Sequence, residues 1–62
     1  MKYESYKIYK LTLKIVANEG ISRKSFYFDT FEDAKMYGNK YRQDHAGVSI
    51  QRIKEINVYK RS

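Results

Sequence analysis

The chain has 62 residues, with 13 Lys and Arg against 7 Asp and Glu, so its formal net charge is +6 at pH 7. It has no cysteine, which excludes disulfide bonds and thiolate metal sites. It has one histidine, whereas a zinc site usually takes about four nitrogen or sulfur ligands, so we expect no zinc site within one chain. A chain this short buries only about 60% of its unfolded surface. We therefore expect one small basic domain, residues 1–62, with no metal and no cofactor.

The first predicted element is a strand from about Tyr6 to Val16, in which apolar residues alternate with lysine and threonine. This period of two is typical of a half-buried strand. Tyr6 and Ile8 have the opposite phase, so either a bulge lies near Tyr9 or two apolar side chains lie on the outer face. The apolar members of the main alternation are Tyr9, Leu11, Leu13 and Ile15.

The second predicted strand, from about residue 22 to 28, follows a tight turn at Glu19-Gly20. This turn sets a register in which the apolar residues of both strands share one face, because side chains alternate along a strand. The predicted pairs are Leu13 with Phe26 and Leu11 with Phe28. The predicted opposite face holds Lys10, Thr12, Lys14, Ser25, Tyr27 and Asp29.

A helix is predicted to begin after a capping pair, either Thr30 with Asp33 or Asp29 with Glu32, and to continue to about Asp44. Its apolar stripe is formed by Phe31, Ala34, Gly38 and Tyr41, with Met36 and Tyr37 beside it.

Two glycines punctuate the second half of the chain. Gly38 inside the helix costs about 1 kcal/mol relative to alanine, so we expect it where the helix approaches the sheet closely, and a helix break at this point is the alternative. Gly47 follows His45-Ala46 and is typical of a helix end that needs a left-handed backbone.

The third predicted strand runs from Val48 to Tyr59 and alternates imperfectly. Arg52 and Lys54 occupy inward phases, and a bulge between Gln51 and Lys54 would repair the pattern. The alternative is a short helix, which is indicated by the spacing of Ile50, Ile53 and Ile56.

These elements predict an α+β fold with the order β-β-α-β. The helix connects strands two and three, so strand three can lie beside strand one and antiparallel to it. Strand one is then central, and the strand order is 2-1-3 in a mixed or antiparallel sheet. The helix packs on one face, and the other face is left open to water.

The predicted open face is basic and carries tyrosine, a combination that binds phosphates and stacks on bases in small nucleic-acid binders. The alternative is that the charges serve solubility and protect strand edges from aggregation. Lys35, Lys40 and Arg42 are spread over the helix and are interpreted as a solvated surface. The candidate binding residues are Tyr6, Lys10, Lys14, Arg23 and Tyr27.

The residues that could support catalysis are scattered. His45 lies beside Asp44, but adjacent helix residues do not face each other, and a histidine in a last turn is favoured by the helix dipole. The serines lack a nucleophile-elbow context, and the glycines are too dispersed for a phosphate loop. We therefore predict a protein that is not an enzyme.

Two functions stay open at this stage. The first is a basic module that binds DNA or RNA, with a homodimer as a possible form. The second is a small protein of the kind carried by phages and mobile elements, which binds an acidic protein partner and regulates or inhibits a host protein or macromolecular machine. The sequence has no apolar run of signal-peptide length and no stretch of about 18 apolar residues, so we expect a cytoplasmic protein without a membrane partner.

Overall fold

The computed structural model describes residues 3–61. The elements are β1 (Tyr3–Ala17), β2 (Gly20–Phe28), α1 (Phe31–Asp44) and β3 (Val48–Arg61). The strands form one sheet in the order β2-β1-β3, and β1 is antiparallel to both neighbours. The predicted α+β fold is confirmed, with its central first strand and the helix on one face of the sheet. The short-helix alternative for the tail is wrong, since this segment lies within β3.

The hairpin register differs from the prediction by two residues. Leu11 pairs with Phe26 and Tyr9 with Phe28, so the predicted Leu13–Phe26 and Leu11–Phe28 pairs are wrong. The turn residues are Asn18 and Glu19, and neither has a positive φ, whereas Gly20, the first residue of β2, has φ of 134°. The glycine therefore supplies the positive φ after the turn rather than within it. A shift of two residues keeps every side chain on its predicted face.

The core lies between the helix and one face of the sheet. Leu11 and Leu13 are fully buried, and Ala34 and Val48 complete the buried cluster. Burying one leucine stabilises the fold by about 1.5–3 kcal/mol, so a core this small depends on each of them. The predicted shared interior of Phe26 and Phe28 with the two leucines is confirmed. Packed around the cluster are Tyr9, Ile15, Phe26, Phe28, Tyr41, Ile50 and Ile53.

The helix begins and ends with hydrogen-bonded caps. The Thr30 hydroxyl accepts a hydrogen bond from the Asp33 backbone N–H at 3.1 Å. Of the two predicted capping pairs, the observed one is therefore Thr30 with Asp33. At the other end the His45 backbone N–H donates to the Tyr41 carbonyl at 3.0 Å. The buried stripe is narrower than predicted, because Phe31 is 47% exposed and Met36 is 69% exposed. The helix therefore meets the sheet mainly through its smallest residues.

A bulge in β3 changes the face of every later residue in that strand. Thr12 pairs with Arg52 and Leu13 with Ile50, which leaves Gln51 as the extra residue. Ile50 and Ile53 consequently both face the helix, as the contact cluster shows. Ile56 and Val58 have the same phase as Ile50 in the sequence, but the bulge places them on the open face, opposite Ile8 and Tyr6. The bulge predicted between Gln51 and Lys54 is therefore present, and its extra residue is Gln51.

One end of the sheet has two strands only. β2 ends opposite Tyr9, and β1 continues to pair with β3 out to Tyr3 and Arg61. The helix begins at the same level, since the Phe31 ring contacts the Tyr9 ring edge-on with centroids 6.0 Å apart. We call residues 3–8 with residues 56–61 the distal ribbon. The described chain is accordingly elongated, with extents of 51 × 22 × 13 Å.

Gly38 lies where the helix comes closest to the sheet. A Cβ atom at this position would lie 2.9 Å from Ile50 Cδ1 and 3.2 Å from Leu11 Cδ1. The helix runs unbroken through Gly38, so the close-approach prediction is confirmed and the predicted alternative of a break is wrong.

Gly47 holds the loop that returns the chain from the helix to the sheet. Its φ is 76°, in the left-handed region, and its carbonyl accepts from the Val16 backbone N–H at 2.8 Å. A Cβ atom there would overlap the Val16 carbonyl oxygen. The predicted helix end at Gly47 is therefore also a site of backbone contact with β1.

We predict that Gly38→Val lowers the free energy of unfolding by about 1–3 kcal/mol, because the added atoms overfill the contact with Leu11 and Ile50. The matched control is Gln43→Val on the exposed side of the same helix, which should change stability by less than about 0.5 kcal/mol. Urea denaturation followed by circular dichroism measures both. Wild-type stability of Gly38→Val would contradict the close approach.

We predict that Gly47→Ala costs about 2 kcal/mol or more, because left-handed strain adds to overlap with a backbone carbonyl that cannot rotate away. Gly20→Ala is the control, since Gly20 also has positive φ but no atom within 4 Å of its would-be Cβ. The same denaturation experiment should rank Gly47→Ala as clearly the less stable variant. Equal losses would show that strain alone decides both.

Candidate nucleic-acid interface

The open face of the sheet, opposite the helix, carries a compact group of positive side chains. Cross-strand pairing places Lys10 beside Lys54, Thr12 beside Arg52, and Lys14 beside Arg23. Neighbouring strands lie about 4.8 Å apart, and residues of the same face repeat about every 6.8 Å along a strand. All three strands therefore contribute to one patch. We call it the cationic cluster, formed by Lys10, Lys14, Arg23, Arg52 and Lys54.

The structure brings most of the predicted binding residues into this patch. Lys10 and Tyr27 form one row of the open face, and Lys14 with Arg23 forms the next row but one, beyond Thr12 and Ser25. Tyr6 shares the face but lies in the distal ribbon, four residues from Lys10 along β1 and opposite Val58. Pairing of β1 with β3 is continuous from Tyr3 to Thr12, so the predicted option of a bulge near Tyr9 is wrong and Tyr6 and Ile8 lie on the outer face.

Sequence reasoning missed two members of the cluster, Arg52 and Lys54. Their phase in an unbroken strand points toward the helix, and the bulge at Gln51 turns both onto the open face. The available signal was the break in the alternation at Ile53. That break predicted the bulge. Because a bulge reverses the face of the residues that follow it, the same signal would have placed Arg52 and Lys54 on the open face.

Like charges lie directly opposite one another in the cluster. Lys10 with Lys54 and Lys14 with Arg23 are cross-strand partners, an arrangement that destabilises a sheet. The described part of the strands holds two carboxylates, Glu4 and Glu55. Glu55 lies on the helix side, where it forms an ion pair with Lys7 at 3.2 Å, and Glu4 lies six residues from Lys10. The cluster therefore lacks a carboxylate counter-charge from the strands.

The bulge residue helps to hold the cluster in place. Arg23 Nε on β2 donates a hydrogen bond of 2.8 Å to Gln51 Oε1 on β3, so the side chains bridge over the central strand. A guanidinium has about five N–H donors, and this bond uses one of them. The hydrogen bond to Gln51 thus orients the Arg23 guanidinium and leaves its other N–H donors free to bind an anion. Beside it lies a shallow depression lined by Lys10, Thr12, Gln51, Arg52 and Lys54.

Tyr27 lies at the β2 edge of the cluster, directly beside Lys10. It is 60% exposed, so its ring is accessible on the open face. An exposed aromatic ring next to cations can stack on a base or donate its hydroxyl to a phosphate. Tyr27 is thus the one tyrosine that borders the cluster among the residues the structure describes.

The His45 ring belongs to the helix end. It stacks on the Tyr41 ring, with centroids 4.2 Å apart and planes 18° apart, and its Nδ1 lies 3.1 Å from the Tyr41 carbonyl oxygen. Within residues 3–61 there is no group of three or more side chains suited to hold a metal ion. No helix in the same range is long and apolar enough to cross a membrane.

Comparison of the chain with models of known families, with curated proteins and with solved structures found no match.

We predict that Lys54→Thr stabilises the fold by about 0.2–1 kcal/mol at low salt, because it removes repulsion with Lys10. Lys60→Thr is the matched control, since Lys60 lies on the same strand and face but opposite Glu4. Both substitutions change the strand propensity in the same way, so the difference between their free energies of unfolding, measured by urea denaturation, isolates the charge effect. Lys60→Thr should gain less, and the difference should shrink in 0.5 M NaCl, where the Debye length falls to about 4 Å. Equal effects would contradict the repulsion.

Proposed function

We propose that this protein is a small non-enzymatic module that binds DNA or RNA, acts in the cytoplasm, and contacts the phosphate backbone through the cationic cluster. The observation that carries the proposal is the set of five cations with two directly opposed like-charge pairs and no strand carboxylate beside them. A polyanion relieves this repulsion when it binds. A surface needed for solubility alone gains nothing from placing like charges opposite each other.

The chemistry of the cluster suits phosphates better than base edges. Lys and Arg contacts to phosphate fix position and carry no sequence information directly. One bordering tyrosine, Tyr27, offers stacking for about one base, whereas single-strand binding sheets use several aromatic rings. We therefore expect binding with little sequence preference, dominated by counterion release.

The cluster is less suited to a protein partner. Protein interfaces have an apolar, charge-depleted centre with a polar rim, and this surface has the reverse arrangement. Its apolar neighbours lie at the two ends, with Val16 opposite Ile21 at the hairpin and Tyr6 opposite Val58 in the distal ribbon. An acidic protein partner, and with it a regulatory or inhibitory role, is the alternative if nucleic acid does not bind.

The test is fluorescence anisotropy with labelled duplex and single-stranded oligonucleotides at several salt concentrations. If each of the five cations neutralises one phosphate of a duplex, log K should fall with log salt at a slope of about −4.5, an affinity loss of about 500-fold between 50 and 200 mM. Absence of binding at 50 mM would overturn the proposal.

The decisive variant is Lys10→Glu/Lys14→Glu. Each change turns a like-charge pair into an opposite-charge pair, so the fold should be stabilised while affinity for the oligonucleotides falls at least about 100-fold. The matched control is Lys35→Glu/Lys40→Glu, the same change in net charge on exposed helix positions, which should cost only a few-fold. Equal losses in both variants would show that net charge alone, and not the cluster, sets the affinity.

A further inference from the structure

The depression beside the bulge in β3 is small and polar. It lies between β1 and β3 on the open face and has a volume of about 180 Å³, below the roughly 300–1,000 Å³ of pockets that hold drug-sized ligands. The space therefore suits one small group rather than a whole nucleotide. We call it the bulge depression, lined by Lys10, Thr12, Gln51, Arg52 and Lys54.

The Gln51 side chain is oriented by its partner on β2. Arg23 Nε can only donate a hydrogen bond, so the Gln51 amide must present its oxygen to it, at 2.8 Å. The amide NH₂ group is then left as a donor for a ligand. Gln51 is the extra residue of the bulge, and bulges occur next to functional sites, where they re-aim a side chain.

The bulge depression is complementary to an oxyanion. Every side chain that lines it can donate a hydrogen bond, and three of the five are cations. The carboxylate nearest in sequence, Glu55, lies on the other face of the sheet in an ion pair with Lys7. Hydrogen bonds from charged donors to an oxyanion are short and strong. The arrangement therefore favours a compact group with several negative oxygens.

The positive run on the open face stops at the bulge depression. Lys10 and Lys54 form its last row, and in the other direction Lys14 and Arg23 continue the charge toward the hairpin. The next two rows toward the distal ribbon are uncharged: Ile8 with Ile56, and Tyr6 with Val58. A nucleic-acid backbone that follows the cations finds none in these two rows, so the bulge depression is placed where such a backbone would begin or end.

We propose that the bulge depression binds a phosphate monoester at the end of a nucleic-acid strand. The inference rests on the proposed function and adds the strand end as the group that the protein recognises. A terminal phosphate carries about 1.5–2 negative charges at pH 7 and three free oxygens, whereas a backbone phosphodiester carries one charge. Three cations and two neutral donors around one small space match the terminal phosphate better.

The remaining cations of the cluster bind the backbone that adjoins this end. Lys14 and Arg23 lie outside the bulge depression and contact phosphodiesters, which carry no sequence information directly. Recognition of a strand end is also independent of sequence. The inference therefore agrees with the little sequence preference expected above.

The test compares oligonucleotides that differ at one end only. Fluorescence anisotropy in about 50 mM salt gives the affinities of a single strand of about 12 nucleotides with a 5′-phosphate or a 5′-hydroxyl, and of the mirrored pair with the phosphate at the 3′ end. A hydroxyl-ended strand with two more nucleotides is the control, since it adds the same charge. The phosphate at one end should strengthen binding at least about 10-fold, and the longer control by no more than about 3-fold. Equal affinities of these two strands would overturn the inference.

A glutamine-to-glutamate change tests the bulge depression itself. The readout is the ratio of the affinities for phosphate-ended and hydroxyl-ended strands, because a general loss of positive charge cancels in this ratio. Gln51→Glu keeps an oxygen for Arg23 and replaces the NH₂ donor with a negative charge, so the ratio should fall to about 1–2. Gln43→Glu is the same change on an exposed helix position and should leave the ratio within about 2-fold of wild type. Circular dichroism checks both folds. A ratio that ignores Gln51→Glu would overturn the site.

A second pair of variants separates the bulge depression from the rest of the cationic cluster. Lys54→Gln and Lys14→Gln each remove one cation and one like-charge pair, so both should weaken binding of either strand. Only Lys54 lines the bulge depression, so Lys54→Gln alone should lower the ratio, by at least about 3-fold. An equal ratio in the two variants would mean that the end is not bound at the bulge depression.

Inorganic phosphate tests whether the strand is part of the ligand. At about 10 mM and constant ionic strength it should lower the ratio by no more than about 2-fold, because it lacks the backbone contacts with Lys14 and Arg23. A ratio reduced to about 1 would make free phosphate the ligand and overturn the strand end. The outcomes also separate this inference from the proposed function. Failure of every oligonucleotide to bind refutes both, whereas binding that ignores the terminal phosphate refutes this inference alone.

Discussion

The structure depends on the position of β1 between two antiparallel partners. A strand that is paired along both edges can direct its side chains only to the two faces of the sheet. Leu11 and Leu13 take one face and are fully buried under the helix. Lys10 and Lys14 must then take the other. The same alternation that forms the core therefore presents positive charge to solvent, and the core and the candidate site share one cause.

Features with a local sequence signal could be predicted, whereas features set by the pairing between strands could not. The alternation in β1, the Thr30 cap and Gly47 are local signals, and they predicted the elements and their order correctly. The hairpin register was wrong by two residues because such a shift leaves every face unchanged, so apolar pattern alone cannot detect it. The bulge at Gln51 was expected in this region, but its effect on Arg52, Lys54 and the residues beyond them is a phase change that only the pairing with β1 determines.

The open face has two regions of different chemistry. The cationic cluster has no apolar centre and opposes like charges, which favours a polyanion. Tyr6, Ile8, Ile56 and Val58 form an apolar region beyond the helix and β2, on the two-stranded end of the sheet. Retaining repulsive pairs lowers stability in a domain with a core of few residues. A surface of this kind is consistent with selection for binding at a cost in stability.

The central claim is that pairing across β1, with the bulge at Gln51, brings cations from all three strands onto one face. The most direct measurement is the set of interstrand nuclear Overhauser effects along β1 in solution. The account predicts backbone-proton contacts of Tyr9 with Phe28, of Thr12 with Arg52 and of Leu13 with Ile50. Backbone contacts that pair Leu11 directly with Phe28, or an unbulged ladder that pairs Thr12 with Gln51, would contradict it.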